Sequence, residues 1–172
     1  MALNAYLSVE GEKSGAWKGS CTAVGHEDQM EIVTWQHGFT QPMTGAAESA
    51  FGGKATSRAS HANLILTKYF DNASDEILKA CWTGEQLKKC KLEIFRSSGE
   101  ENVGKSTPYL TIDLEKAYVA DYQISSSGQD IAMEHIALAY KKVIYNFVAT
   151  DATGAAGTNV PISCDLSTNE IA

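Results

Sequence analysis

The chain is poor in the features that tie a protein to chemistry. No apolar run approaches the length needed to cross a bilayer. No Gly-x-Ser-x-Gly elbow is present, and no two histidines flank a glutamate at the spacing of a helical zinc site. Positive charge is also scarce: fourteen Lys and Arg stand against twenty-one Asp and Glu, a formal charge of −7, which opposes the phosphate neutralisation that nucleic-acid binding draws on. Nucleic acid is therefore not an expected partner. The four cysteines, Cys21, Cys81, Cys90 and Cys164, include no Cys-x-x-Cys pair. They read as small thiols in a reducing cytosol, with a Cys81–Cys90 bridge after export left open. The first residues alternate and lack a basic lead-in, so they do not read as a secretory signal. The chain is expected to be cytoplasmic when made, without membrane insertion, and to be exported, if at all, by a route that needs no cleaved signal. No catalytic residue, metal or cofactor is expected.

What is present is an ordinary globular composition. The 172 residues are 44% apolar and 20% charged, enough for one domain over residues 1–172 with a core of its own. Period-two alternation marks strands at Leu3–Glu10 and at Met30–His37. From Thr40 to Ser60 the composition turns to Gly, Ala, Ser and Thr, with Met43 and Phe51 as the large apolar residues. This predicts a long loop, and loops of that length inside a compact domain are functional or await a partner, unless they are bare insertions. A strand is expected near Asn63–Phe70. A short helix follows, capped by Ser74, with an apolar stripe of Ile77, Leu78, Cys81 and Trp82 and a stop at Gly84. Further strands fit Lys88–Arg96, Tyr109–Leu114, Lys116–Ile124 and Ala132–Val148, the last divided near Lys141-Lys142, with a short segment at Val160–Leu166. Many strands and one helix predict a mainly β fold: an antiparallel barrel or sandwich with a flanking helix and a long extended loop.

Gly99-Glu100-Glu101-Asn102-Val103-Gly104-Lys105-Ser106 satisfies the phosphate-loop pattern. That pattern works only when a helix begins just after the lysine and aims its positive end at the anion. Here Thr107-Pro108-Tyr109-Leu110-Thr111-Ile112 follows and reads as a strand, while Glu100 and Glu101 would place two negative charges beside the phosphates. A hairpin loop is the better reading, and a nucleotide-binding protein the alternative. His26-Glu27-Asp28 reads as a polar turn rather than a metal site. Tyr118 and Tyr122, on one side of a strand with Ala120 between them, would make a sugar-binding face for a monomeric carbohydrate-binding sandwich; a packed core or a subunit interface fits them better.

The ordered set of segments resembles the hemolysin-coregulated protein family, the inner-tube subunit of the bacterial type VI secretion system. The residues that carry the resemblance are Ala5-Tyr6-Leu7-Ser8-Val9-Glu10-Gly11, then Glu31 to Gly38 with Gln41-Pro42 after it, the Gly/Ala/Ser loop, Leu66-Thr67-Lys68-Tyr69-Phe70-Asp71, the Ser74 cap, Leu78 to Cys81, Gly84, and Lys91 to Arg96. The chain departs from the family pattern at Ser60-His61-Ala62-Asn63 and at Asp75, and matches it least over Thr158–Ala172. The resemblance implies a β-barrel with a flanking helix, assembled as a homohexameric ring that stacks into a secreted tube and carries or stabilises effectors in its lumen. Sheath, spike and effector proteins are the implied partners. The same resemblance has the loop from Phe39 to Asn63 reach a neighbouring subunit or ring, with Gln41, Pro42, Thr44 and Phe51 as the contact residues. The mechanism it implies is mechanical, not catalytic.

The strand reading of Thr107–Ile112 carries a direct test. ATP binding measured by calorimetry is expected to show no affinity that Lys105→Ala abolishes; a Lys105-dependent affinity would restore the nucleotide reading.

Overall fold

The computed structural model describes residues 4–42, 58–95, 108–128, 130–150 and 156–172. In chain order the strands are β1 (Asn4–Gly11), β2 (Gly15–Ala16), β3 (Met30–Glu31), β4 (Thr34–Gln36), β5 (Phe39–Thr40), β6 (Ser60–His61) and β7 (Leu64–Tyr69). Helix α1 (Ser74–Thr83) follows, then β8 (Leu87–Phe95), β9 (Leu110–Glu115), β10 (Tyr118–Ser125), β11 (Met133–Ala139), β12 (Lys142–Thr150), β13 (Ala156–Asp165) and β14 (Glu170–Ile171). They form an eight-stranded antiparallel sheet in the order β14-β13-β12-β9-β8-β1-β2, with β3 also on β1. A four-stranded sheet, β10-β11-β7-β4, and the ribbon β5-β6 complete the set. Among the described residues neither sheet closes on itself, so of the expected barrel or sandwich the architecture is a sandwich. One hydrophobic cluster fills the space between the sheets, with Leu7 and Val9 of β1, Leu92 and Ile94 of β8 and Ile112 and Leu114 of β9 facing Leu64 and Leu66 of β7 and Ile136 and Leu138 of β11.

Two stretches that read as single strands are divided between the sheets. Over Met30–His37 the amide of Ile32 still donates to Ala5 of β1, but the next amide, Val33, donates to Thr67 of β7. The chain thus changes sheets within one peptide step, and the buried side passes from Met30 and Ile32 to Val33 and Trp35. Ala132–Val148 divides at Tyr140-Lys141, where expected, and its halves β11 and β12 belong to different sheets.

Helix α1 differs from expectation in its cap and in its buried stripe. Ser74 is not its cap: Ala73 precedes the helix without a side-chain cap bond. The Ser74 hydroxyl instead accepts from the Asp71 amide at 2.9 Å, and Asp71 Oδ1 accepts from the Ala73 amide at 2.9 Å. The buried stripe is Ser74, Ile77 and Ala80, while Trp82 is 77% exposed. Gly84 ends the helix as expected, in the left-handed region at φ 63° with its amide on Ala80 O.

A β-bulge between Val119 and Asp121 separates the two tyrosines that were expected to share a face. Val119 pairs with Leu138 and Tyr122 with Ile136, so these point into the core, whereas Tyr118 pairs with Ala139 and points out. An extra residue in one strand reverses the alternation, and the sugar-binding face therefore does not exist. The segment Gly99–Ser106 lies outside the described residues; the residues from Pro108 to Glu115 contain no helix, and Leu110–Glu115 is the strand that pairs with β8. All four cysteines are free thiols. His26 sits in a turn, stacked on Tyr6 with ring centroids 4.0 Å apart and its Nδ1 2.9 Å from Gln29 Oε1.

Among the described residues the core holds one fully buried ion pair. Lys68 of β7 and Glu134 of β11 are direct cross-strand partners and both are fully buried. The ammonium reaches Glu134 Oε2 at 2.5 Å, Asp71 Oδ1 at 2.8 Å and the Tyr69 carbonyl at 2.8 Å, so all three of its N–H bonds are used. The Tyr122 hydroxyl donates to the other Glu134 oxygen. Burial, and then that bond to a carboxylate, hold the Tyr122 phenol well above its usual range. Glu85 Oε1 accepts from the amides of Lys13 and Ser14 and from the Ser14 hydroxyl, at 2.7, 2.8 and 3.0 Å. A Cβ on Gly11 would lie 2.2 Å from Ser14 Oγ and 2.5 Å from Glu85 Oε1.

Lys68→Met is expected to cost about 3–5 kcal/mol in urea unfolding, because it leaves Glu134 buried without its cation, while Lys68→Met/Glu134→Leu costs less than the single change. A single-variant cost under about 1 kcal/mol would sink this account. Gly11→Ala, whose neighbours are tied down by hydrogen bonds and cannot swing aside, is expected to lose about 1–3 kcal/mol, read as a lowered melting temperature.

Candidate functional site

The expected contact residues fall at the outer end of the β5-β6 ribbon. Phe39 pairs with His61 and Thr40 with Ser60, so the chain leaves the body at Gln41 and returns at Ala59 side by side. Gln41 and Pro42 are exposed, with Gln41 Nε2 donating to the Pro42 carbonyl at 3.4 Å. Thr44 and Phe51 lie outside the described residues.

Sequence reasoning missed what seats this ribbon. His37, Phe39 and His61 pack against Tyr140, Tyr145 and Cys164, which the ladders of β12 and β13 bring to one place. His37 Nδ1 meets the Tyr145 hydroxyl, and its Nε2 lies 3.1 Å from the Ala62 carbonyl and 2.7 Å from the Tyr140 hydroxyl. That hydroxyl is 2.9 Å from His61 Nδ1, and His61 Nε2 is 3.8 Å from Cys164 Sγ. Phe39 closes the cluster, its ring 4.5 Å from that of His37 and 4.8 Å from that of His61. Burial lowers the pKa of both histidines; for His37 the Ala62 bond pulls the other way and the nearby His61 adds to the lowering. Burial likewise pushes Tyr145 up to about 12, and raises Tyr140 further with help from Tyr145 and Cys164.

Beside the ribbon runs an apolar groove of about 760 Å³ lined by Phe39, Arg58, Tyr145, Ile162, Cys164 and Ile171 among others. Its floor has a simple origin. In β12 the residues Val143, Tyr145 and Phe147 pair with Leu114, Ile112 and Leu110 of β9, so they share the core-facing side of the large sheet. Across β13 their partners are Cys164, Ile162 and Val160, and Ile171 of β14 continues the row. Val143 is buried, but the small sheet has only four strands to cover eight. The apolar side of the overhang is left open: Phe147 is 41% exposed, Val160 54%, Ile162 56% and Ile171 72%. On the other side β13 carries Asn159, Pro161, Ser163 and Asp165. The alternation of a half-buried strand is thus present in β13, and it is the signal through which sequence reading could have found this face.

Among the described residues no group of three or more His, Cys, Asp or Glu is arranged to hold a metal ion, and no helix is long and apolar enough to cross a membrane. The arrangement offers recognition: an uncovered apolar sheet face, flanked by a ribbon that presents an exposed loop base.

Comparison with known proteins gives a consistent answer. The chain is 26% identical to the "Major exported protein" of Pseudomonas aeruginosa, with 95% of this chain and 99% of the relative covered. It is 28% identical to "Protein hcp1" of the same organism over 90% of this chain and 89% of that one. A solved "type six secretion system protein" superposes with a TM-score of 0.83 at 27% identity, covering 99% of this chain and all of the other. Residues 6–147 match the family described as "Type VI secretion system effector, Hcp", and the chain belongs to that family.

Proposed function

We propose that the chain is a structural subunit of the type VI secretion tube, which assembles into homohexameric rings that stack and leave the cell. The observation that carries this reading is the row Phe147, Val160, Ile162 and Ile171. It has the two-residue period of a buried surface, and among the described residues nothing buries it. A ring supplies a cover, since a closed cyclic assembly buries the same patch on every copy. Family membership and a relative named as a major exported protein support the second half of the reading, export. The protein is then made in the cytoplasm and passes outward with the tube.

In this reading the loop from Phe39 to Asn63 reaches a neighbouring subunit or ring, with Gln41, Pro42, Thr44 and Phe51 making the contact. Effectors carried in the lumen, the sheath and the spike are the remaining partners. No bond is broken and no cofactor takes part; the work of the subunit is to self-associate, carry and be expelled.

Native mass spectrometry and negative-stain microscopy test the proposal directly. Six-fold rings are expected, and a chain that stays monomeric at all concentrations would refute it. Ile162→Asp is expected to weaken ring formation by on the order of tenfold to a hundredfold per contact while leaving the far-ultraviolet circular dichroism of the subunit intact, since it alters a side chain exposed in the monomer. Deletion of Gln41–Phe51 is expected to abolish stacking into tubes. Unchanged tubes would remove those residues from the contact.

A further inference from the structure

The ribbon's seat is polar where an apolar one would be simpler, and its hydrogen bonds run in one direction. The Ala62 carbonyl can only accept, so its 3.1 Å contact places the proton of His37 on Nε2. His37 Nδ1 then accepts from the Tyr145 hydroxyl. Tyr140, 2.7 Å from the same Nε2, shares that proton with the Ala62 carbonyl and has its own left for His61 Nδ1 at 2.9 Å. The Nε2 proton of His61 is left facing Cys164 Sγ at 3.8 Å. With both rings neutral every donor meets an acceptor. A further proton on either Nδ1 sets an N–H against a hydroxyl that was itself donating to that nitrogen.

The titratable and charged groups facing the cluster are His37 ahead of β5, His61 on β6, Tyr140 and Tyr145 before and on β12, Cys164 on β13, and Arg58, a cation that lines the groove. Among the described residues the groove lining contains no carboxylate. Two imidazoles joined through one phenol thus share this lining with the Arg58 cation.

We propose that the His37–Tyr140–His61 relay is a proton-sensitive latch, which holds the β5-β6 ribbon on the large sheet while both imidazoles are neutral and releases it when they are protonated. Burial, which lowers both histidine pKa values, acts in the same sense. A group whose pKa is depressed in the seated state favours seating fully above the ordinary histidine value of 6.5 and loses that contribution as pH falls below it. Release is an acid event, confined to the ribbon, and it applies to a single chain whatever that chain assembles into.

Hydrogen exchange by mass spectrometry on the full chain, corrected for the intrinsic effect of pH, reads the latch. Peptides covering residues 37–40 and 60–62 are expected to lose protection by about tenfold or more between about pH 7.5 and pH 5, while the β1-β8 ladder holds its protection. Equal ribbon protection across that range, or loss shared equally by the ladder, overturns the proposal. His61→Gln retains the His37 bonds to Tyr145 and Ala62 and removes one titrating group. Its loss of protection is expected to follow about one proton per opening in place of about two, and an unchanged steepness also overturns the proposal.

Discussion

The small sheet depends on the buried contact between Lys68 and Glu134. Two charges with no exposed surface are tolerable only when each is fully bonded, and here the ammonium spends its three protons on Glu134, Asp71 and the Tyr69 carbonyl. The consequences reach three neighbours. The pair locks the β7-β11 register, because a slip of β7 by one residue would turn Lys68 out, and Leu66 with it, and leave Glu134 buried without its cation. Through Tyr122 it holds β10 at the bulge, and through Asp71 it fixes the turn that starts α1. One cross-strand pair thus positions strand, edge strand and helix together.

With the small sheet limited to four strands, the large sheet is longer than its cover. This mismatch creates the candidate functional surface without any special loop or reactive group. The core-facing side of β12, β13 and β14 simply continues past the sandwich, apolar as before and newly exposed. The ribbon β5-β6 lands on the near end of that overhang, and it is seated by imidazoles and phenols, not by aliphatic side chains. A polar seat is specific in geometry and sensitive to protonation, properties that an apolar seat lacks.

Much of this order was legible in the sequence wherever a strand keeps one face buried throughout. Strands β1, β7 and β8, the division between β11 and β12, the helix and its glycine stop all follow from local pattern. Met30–His37 was misread because a strand that passes from one sheet to another keeps its alternation in sequence while the buried side changes in space. Tyr118 and Tyr122 were misread because a bulge reverses parity without a local composition signal. Trp82 looked like core by its chemistry, and the packing of α1 left it in solvent. The ribbon's partners, Tyr140, Tyr145 and Cys164, were invisible because they lie about a hundred residues from His37 and His61 along the chain.

Sequence alone determined the class of fold and the order of elements, since both rest on the period of apolar residues and on turn chemistry that neighbours along the chain decide; the family resemblance rests on the ordered motif residues themselves. Tertiary structure decided the rest: which sheet each strand joins, which tyrosine faces inward, and which apolar rows stay uncovered. These depend on how many strands each sheet contains and where a buried charge pair sets their register, and such facts exist only when distant segments meet.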